Sequence, residues 1–385
     1  MSLEIRGKAL RVAFRYKGKT VHESIPGGAT PENVARWESL DPILQQDIRA
    51  GTFDYGHYFP WSKRATENQF GTYLDTWLKI KANEVAASSF KSYTTAAEVH
   101  LRPKWGAREV TAIDHIQLQE WIQSDLMPKL HNKTIKGLVS CMGQVFRLYR
   151  TRNQDAHDPT EGIYIRQPDA EDPDPFSREE IRQILRTHAE DAGQLNLFEF
   201  MVWSGPRISE GIALAWEDVD LGRGEVTFQR ALVSRQYKVT KTRRSKRRLK
   251  LLRPALEALR RQHALTGQLP PVTVGVVDRD NRTIKHRALT FVFLAPNGEP
   301  FRDADQYRNQ FWAGHLKTAG VRYRGPNQCR HTFASQLLTS GGVNVEWVAE
   351  QMGHTSTAMI WRHYGKWIKD DERDQVERLN ALLDV

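Results

Sequence analysis

Apolar and polar residues alternate near the start of the chain. Every second position is apolar over residues 10–14, as in a strand with one buried face. The turn residues 17–19, and the return of an apolar position after them, predict a second antiparallel strand. Thr30 followed by Pro31 predicts a helix start, because threonine is a good cap and proline fits the first helical position. Residues 1–64 are therefore expected to form a small β-sheet with one helix.

The apolar spacing changes to that of helices from about residue 70. Apolar residues recur every three or four positions in residues 70–78 and again in residues 138–149. Pro103 and Pro128 separate the predicted helices. We expect an all-helical domain over residues 68–165.

Residues 168–175 (PDAEDPDP) are acidic and rich in proline, which excludes a helix or strand interior. A helix start follows at once, since Ser177 can cap the helix and Glu180 can complete a capping box. A linker followed by a new helix start indicates a domain boundary, so residues 172–385 are expected to form one further domain. The fold class is then multidomain α+β, and this last domain is mainly α with a small β-sheet or hairpin.

The 385 residues carry a formal net charge of +10, and the pI is near 9.5. An excess of this size suits a nucleic-acid-binding protein if the charges are clustered, and equally an unspecialised basic surface. The two cysteines cannot build a disulfide framework. The sequence contains no signal-peptide pattern and no apolar run of about 18 residues. Disulfide-rich secreted proteins and membrane-spanning proteins are excluded, and the expected location is the cytoplasm.

Lysine and arginine are most concentrated in residues 238–250 (KVTKTRRSKRRLK), where they occupy eight of thirteen positions. A β-hairpin here would present a basic edge to a DNA groove, and the alternative is a generic basic patch. Further cations lie on the polar sides of the first strands and the middle helices, where the alternative is a solvated surface. The candidate DNA-binding residues are Arg11, Arg15, Lys17, Lys19, Lys91, Lys133, Lys136, Arg243, Arg244, Lys246 and Arg247.

The last domain also carries residues suited to phosphate chemistry. Arg207 follows a Gly-Pro pair in a rigid turn between two predicted helices, from which a guanidinium can reach a phosphate. Taken alone, an arginine before a helix can equally be an ordinary surface residue. Tyr364 is the only tyrosine after Tyr323. The histidines of this region lack the spacing and the acidic or thiol neighbours of a zinc site, so we expect no metal. They are His331, His354 and His363.

These segments together resemble the tyrosine recombinase, or phage integrase, family. The family pattern is an arginine in G-x-R-x-S-E, a lysine in a β-hairpin, the motif H-x-x-R-H-T, a G-H pair and a tyrosine about ten residues later. The matching residues here, in the same order, are Arg207, Lys241, Arg330, His354 and Tyr364. The helical middle of the chain is similar to the family's core-binding, SAM-like domain. The segments IRGKALRVAFRYKGK and GTFDYGHYFP are similar to the arm-type DNA-binding domain of lambda-like integrases.

The resemblance implies a site-specific recombinase that cleaves and rejoins DNA through a 3′-phosphotyrosine on Tyr364. Arg207 and Arg330 would stabilise the charge that develops on the phosphate oxygens, a task for which guanidinium groups are suited. His354 would donate a further hydrogen bond or help to deprotonate Tyr364, and Lys241 would protonate the departing 5′-oxygen. No cofactor is implied.

The resemblance also implies partners. They are double-stranded DNA attachment sites of core and arm types, further copies of the chain in a homo-tetramer on paired sites, and DNA-bending and directionality proteins. The reaction would integrate and excise a phage or mobile element on the nucleoid of a bacterial host. The amphipathic segment after Tyr364 would dock on a neighbouring protomer, or alternatively pack on its own domain.

One position departs from the family pattern. The first residue of H-x-x-R-H is Asn327 here, and asparagine can donate a hydrogen bond to a phosphate but cannot exchange a proton near neutral pH. Two alternatives stay open from the sequence. One is an integrase-derived DNA-binding protein without catalysis, and the other is a type IB topoisomerase, which shares this chemistry.

Overall fold

A computed structural model describes residues 2–16, 18–50, 53, 55–169, 172–240, 246–341, 343–354 and 356–368. The chain divides into two compact units, Met1–Pro168 and Asp169–Val385. Both units contain helices and small sheets, which are antiparallel except for the parallel pairing of one strand pair in the second unit, so the expected mixed α+β fold is confirmed. No helix among the described residues is both long and apolar enough to cross a membrane.

The first unit begins with a three-stranded antiparallel sheet. Its strands, in sequence and in sheet order, are β1 (Ser2–Arg6), β2 (Ala9–Tyr16) and β3 (Lys19–Ile25). The predicted alternation is confirmed, since Leu10, Val12 and Phe14 on β2 are all buried. Helix α1 (Pro31–Ala50) follows, and the Thr30 hydroxyl accepts the Asn33 N–H at 3.2 Å as a cap. The sequence analysis did not predict β1, in which Leu3 packs against the core and Ile5 is exposed.

Short helices and a helical bundle complete the first unit. The α-helices are α2 (Tyr55–Tyr58), α3 (Lys63–Glu67), α4 (Phe70–Glu84), α5 (Ala87–Thr95), α6 (Arg102–Trp105), α7 (His115–Trp121) and α8 (Asn132–Arg150). Wider π-type turns continue α5 over Ala96–Leu101 and α7 over Ile122–Leu126, and a 3-10 turn spans Val110–Ala112. The apolar spacing read in the sequence falls on α4 and α8, whose inward faces share one core. The helical prediction for this region is therefore confirmed.

Nine α-helices of the second unit lie among its described residues. They are α9 (Arg178–Arg186), α10 (Ala192–Ser204), α11 (Ile208–Gly211), α12 (Arg253–Thr266), α13 (Ala304–Tyr307), α14 (Ala313–Thr318), α15 (Gln328–Thr339), α16 (Val345–Met352) and α17 (Ala358–Tyr364). The predicted capping box is present at the start of α9, where Ser177 and Glu180 bond each other's backbone N–H groups. Helix α10 is apolar on nearly all sides and contacts both α12 and α15. Because α10 packs on both α12 and α15, it fixes the position of the chain segment that follows its C-terminus.

Seven short strands in the described part of the second unit form two sheets. The strands are β4 (Val219–Asp220), β5 (Glu225–Phe228), β6 (Arg230–Val233), β7 (Gln236–Val239), β8 (Arg247–Lys250), β9 (Val272–Val277) and β10 (Ile284–Leu289). One sheet has the order β4-β5-β8, and the other has the order β10-β9-β7-β6.

The hairpin expected over residues 238–250 is wrong, because β7 and β8 lie in different sheets. Strand β7 pairs with β6 through a two-residue turn at Ser234 and Arg235, whose positive φ angles of 50° and 63° suit a tight hairpin. Strand β8 instead pairs with β5, which sets Leu249 opposite Val226 in the apolar core. Lys241, Arg243 and Arg244 lie outside the described residues, as do Lys17 and the tail after residue 368.

Candidate active site

The turn that carries Arg207 is built around a glycine. Helix α10 ends at Gly205, which has a left-handed φ of +70° and packs so closely on the Phe333 ring that a Cβ would clash with it. Arg207 follows at the N-terminus of α11, and its backbone N–H donates to Glu210 Oε2 at 3.0 Å. Its side chain is 49% exposed, and Nη1 lies 3.2 Å from Glu210 Oε1. The half-exposed guanidinium of Arg207 is therefore bound to Glu210 through one nitrogen, and the rest of the group is accessible from the surface.

Arg330 lies on α15 and is buried beside the same turn. Its Nη1 donates to the Gly205 carbonyl at 2.8 Å, and its Nη2 donates to the Met352 carbonyl at 2.6 Å. Burial, assisted by the charge of Arg207, lowers the pKa of Arg330 to about 9. The guanidinium therefore stays protonated at neutral pH and brings the end of α16 to the Arg207 turn.

His354 lies directly after the C-terminus of α16. Gly353 ends this helix in the left-handed conformation, with φ +68°, and the His354 backbone N–H donates to Ala349 O at 2.9 Å. Burial, together with the charges of Arg330 and Arg207, lowers the pKa of His354 to about 4. The ring is therefore neutral at pH 7. Its Nδ1 is buried and has no hydrogen-bond partner among the described residues.

Tyr364 lies at the C-terminus of α17, and its side chain is buried. Its phenolic oxygen is 2.7 Å from His331 Nδ1. Burial raises the pKa of Tyr364 to about 12, although Arg330 acts in the opposite direction. Burial, with Arg330 and His363, lowers the pKa of His331. A protonated phenol therefore lies against a neutral imidazole, whose Nδ1 can accept the phenolic proton in the tautomer that carries its own proton on Nε2.

The sequence expectation gave Tyr364 a different neighbour. His354 was expected to donate a hydrogen bond to the phosphate or to help deprotonate Tyr364, and the hydrogen-bond partner of Tyr364 in the structure is His331. Sequence analysis weighed His331 only as a metal ligand. The sequence did hold one indication of this contact. His331 directly follows Arg330, and consecutive residues of a helix point in different directions, so His331 can contact a different helix from the one that Arg330 contacts. Among the described residues, the histidines do not gather with acids or cysteines into a group that could hold a metal ion.

Asn327 is placed beside the Arg207 turn. It precedes the first turn of α15, is exposed, and its Oδ1 accepts the Ile208 backbone N–H at 3.5 Å. The side-chain amide nitrogen is the group that could donate to a phosphate. The structure thus brings four predicted site residues close together, with Asn327 beside the Arg207 turn, while Lys241 lies outside the described residues.

The candidate DNA-binding residues differ in how exposed they are in the structure. Those that are exposed on the surface of their own unit are Arg15, Lys19, Lys91, Lys133, Lys136 and Lys246. Arg11 is half-buried. The expectation for Arg247 is wrong, because its side chain is only 6% exposed and points into the domain. The cause is the alternation of β8, which turns Arg247 and Leu249 inward and Arg248 and Lys250 outward.

Three protein-family models match separate parts of the chain. A model of the phage integrase family matches residues 175–369. An arm DNA-binding domain model matches residues 1–63, and a model of the N-terminal SAM-like domain of phage integrases matches residues 69–127.

Curated relatives and solved structures agree with these matches. The prophage integrase IntR of Escherichia coli (strain K12) is 31% identical, and the alignment covers 99% of this chain and 98% of that protein. A tyrosine recombinase XerC-like protein of Caldanaerobacter subterraneus is 26% identical over 71% of this chain and 73% of its own length.

Two solved structures show the same fold. The Tn1549 transposon integrase in complex with a circular intermediate DNA has a TM-score of 0.66 and 18% identity, covering 81% of this chain and 100% of that one. A lambda integrase dimer bound to a core site has a TM-score of 0.60 and 14% identity, covering 96% and 94%. The family model that matches half of the chain and the full-length similarity to IntR show that this chain belongs to the phage integrase family of tyrosine site-specific recombinases.

Proposed function

We propose that Tyr364 is the nucleophile with which this recombinase cleaves DNA and holds the cut end as a 3′-phosphotyrosine. The observation that carries the proposal is the 2.7 Å contact between the Tyr364 hydroxyl and the neutral His331 ring. Arg330 lies close to Tyr364, and His354 lies close to Arg330. A nucleophile next to a base that can take its proton is the arrangement that covalent catalysis needs.

The proposed step balances without an outside energy source. The phenolic oxygen of Tyr364 forms a bond to the scissile phosphorus, and its proton passes to His331 Nδ1. The bond between phosphorus and the 5′-oxygen breaks, and that oxygen takes a proton from Lys241, a role assigned through the family resemblance. A phosphodiester bond is thus exchanged for another, so a 5′-hydroxyl of the same or another strand can reverse the step.

The arginines and neutral hydrogen-bond donors would stabilise the negative charge that develops on the phosphate oxygens. Arg207 and Arg330 would bind the non-bridging oxygens, since their guanidinium groups stay charged and can each contact two oxygens. His354 would donate from its neutral ring. Asn327 would add a hydrogen bond but no proton transfer.

The wider proposal concerns the DNA and the assembly. A solved lambda integrase tetramer bound to a Holliday junction shares this fold, with a TM-score of 0.58 and 12% identity over 92% of this chain. We propose that this chain likewise binds core and arm attachment sites and acts as a homo-tetramer on paired sites. Bending and directionality proteins would assist, integration and excision would both occur, and the work would take place in the bacterial cytoplasm on the nucleoid.

The exposed cations of the first unit support a DNA-facing role. Arg15 and Lys19 lie at the end of the β2–β3 hairpin, and Lys133 and Lys136 lie on the exposed side of α8. Lys91 is exposed on α5. Neutralising phosphates with such residues would supply sequence-independent affinity.

A nicked suicide substrate carrying the element's own attachment site tests the nucleophile. The wild-type chain should form a covalent protein–DNA adduct, and Tyr364→Phe should bind the same DNA without forming one. An adduct that persists in the phenylalanine variant would rule out Tyr364. DNA binding without any wild-type adduct would instead favour an integrase-derived binding protein.

A further inference from the structure

Arg247 is buried although it belongs to the most basic segment of the chain. Its Nη1 and Nη2 donate to the two carboxylate oxygens of Glu210, at 3.1 Å and 2.8 Å. Its Nε donates to the Gln351 carbonyl at 3.1 Å, and the guanidinium lies 4.7 Å from the Phe228 ring centroid. Every part of this side chain is therefore used inside the protein.

Glu210 is shared by two arginines of unequal exposure. The Arg247 guanidinium binds both carboxylate oxygens and is 6% exposed. The Arg207 guanidinium binds only Oε1, through Nη1, and is 49% exposed, while the Arg207 backbone N–H donates to Oε2. Burial would raise the pKa of Glu210, but the hydrogen bonds and charge of Arg247, with help from Arg207, hold it below its usual value. Glu210 is consequently an ionised, buried carboxylate whose principal partner is Arg247.

Arg247 also packs against the turn that delivers His354. Its Nε binds the Gln351 carbonyl, and the next carbonyl along, that of Met352, is bound by Arg330. A Cβ added to Gly353 would lie 3.0 Å from Cδ of Arg247. The two arginines therefore fix the last carbonyls of α16 immediately before His354.

We propose that Arg247 is a positioning residue for the cleavage reaction. By occupying the Glu210 carboxylate, it leaves the Arg207 guanidinium available to the scissile phosphate, and by binding the end of α16 it holds His354 in place. The inference rests on the proposed function of Arg207 and His354. A buried carboxylate must be paired, so without Arg247 the Glu210 anion would draw Arg207 inward and away from DNA.

Removing the Glu210 charge separates this role from simple packing. Single-turnover cleavage of the suicide substrate is measured for R247M, for E210Q and for the double variant E210Q/R247M. R247M should cleave about 10²–10³-fold more slowly, the usual loss for one preorganised charge-stabilising group, with DNA affinity changed less than about threefold. The double variant should cleave about tenfold faster than R247M, because the neutral amide that replaces the Glu210 carboxylate has no charge with which to hold Arg207. Losses that multiply, as independent packing defects would, overturn the proposal.

Arg230 supplies the matched control. It is another buried arginine of the same unit, bound to the Asp218 carboxylate and to the Ala213 carbonyl. R230M should lower the unfolding temperature but leave the cleavage rate per folded molecule within about threefold of wild type. An equal rate loss in R230M and R247M would make Arg247 a packing residue only.

Two further measurements keep the result decisive. If R247M does not fold, R247K replaces it: a lysine keeps the charge but cannot reach both Glu210 oxygens and the Gln351 carbonyl. R247K should cleave about tenfold more slowly than wild type, and a wild-type rate would overturn the inference. Failure of the wild-type chain to form an adduct would refute the proposed function itself, whereas adduct formation at equal rates by wild type and R247M would refute the Arg247 role alone.

Discussion

The phenolic oxygen of Tyr364 and Nδ1 of His331 lie 2.7 Å apart, and neither side chain is charged at neutral pH. Burial keeps the phenol protonated and the imidazole neutral in the free protein. Transfer of the phenolic proton then produces a phenolate and an imidazolium. The approach of a phosphate anion would then favour the imidazolium that results. In the proposed mechanism, His331 would carry out the proton transfer that Asn327 cannot perform.

Replacing His331 tests this transfer directly. His331→Ala should slow adduct formation about 10²–10³-fold at neutral pH, the range expected when a positioned base is lost. The deficit should shrink as the pH rises, since hydroxide can then take the phenolic proton. The measurement is the single-turnover cleavage rate from pH 6 to about 9.5. His363→Ala is the matched control, because the His363 ring centroid stands 6.4 Å from that of Tyr364, whose hydroxyl bonds His331 instead. A faster reaction in His331→Ala would show that the histidine restrains the tyrosine.

Asn327 should contribute much less than His331. It can supply one hydrogen bond to a phosphate, so Asn327→Ala is expected to slow cleavage by about tenfold or less, in line with the worth of a single such bond. The same suicide substrate and rates are used. A loss as large as that of His331→Ala would mean that the proton path runs through position 327 after all.

His354 should stay neutral in the free protein at physiological pH. Its pKa of about 4 in the folded chain lies below the ordinary value of 6.5. The unfolded chain therefore takes up the proton first as the pH falls. The stability that His354 contributes is complete above pH 6.5 and declines between pH 6.5 and about 4.

Two measurements check this assignment. The His354 ring resonances in an NMR titration should show a midpoint near 4, shifted upward when a phosphate-containing DNA is bound. Urea unfolding at pH 7 and pH 5 should show a larger loss of stability in the wild-type chain than in His354→Asn. A midpoint close to 6.5 in the free protein would contradict the buried, arginine-flanked environment.

Gly205 should be irreplaceable for two separate reasons. Alanine at this position would suffer backbone strain at φ +70° and would also collide with the Phe333 ring. Gly298 has a φ of +78° with no atom within 4 Å of a Cβ, so Gly298→Ala measures the backbone strain alone. We expect about 1 kcal/mol for Gly298→Ala, and about 1–3 kcal/mol more for Gly205→Ala because of the overpacked ring. Equal unfolding free energies for the two variants would exclude the Phe333 contact as a constraint.

The local features of the fold could be predicted from the sequence. The Ser177 capping box, the Thr30 cap and the apolar spacing of α4 and α8 depend on residues a few positions apart, so their signals lie within one window of sequence. The pairing of β8 with β5 could not be read in this way. It joins segments separated by β6 and β7, and it depends on Leu249 and Val226 meeting in a core that only the folded domain creates.

In the site, the identities of the residues could be predicted from the sequence, but their contacts could not. The order of arginine, histidine and tyrosine motifs pointed to the residues that lie close together in the site. The direction of each side chain did not follow from order, so His331 was overlooked as the partner of Tyr364. Arg247 was misjudged for a similar reason, since a run of lysine and arginine looks uniformly exposed until strand alternation divides it into an inner and an outer row.

The carbonyl of Gly205 and the carbonyl of Met352 are both bound by the one guanidinium of Arg330, and Gly205 is 125 positions away from that arginine in the sequence. Arg207 therefore reaches its final setting only after the ribosome has made the segment that contains α16. A chain that ends before α16 therefore lacks the second carbonyl that holds Arg330 beside the Arg207 turn.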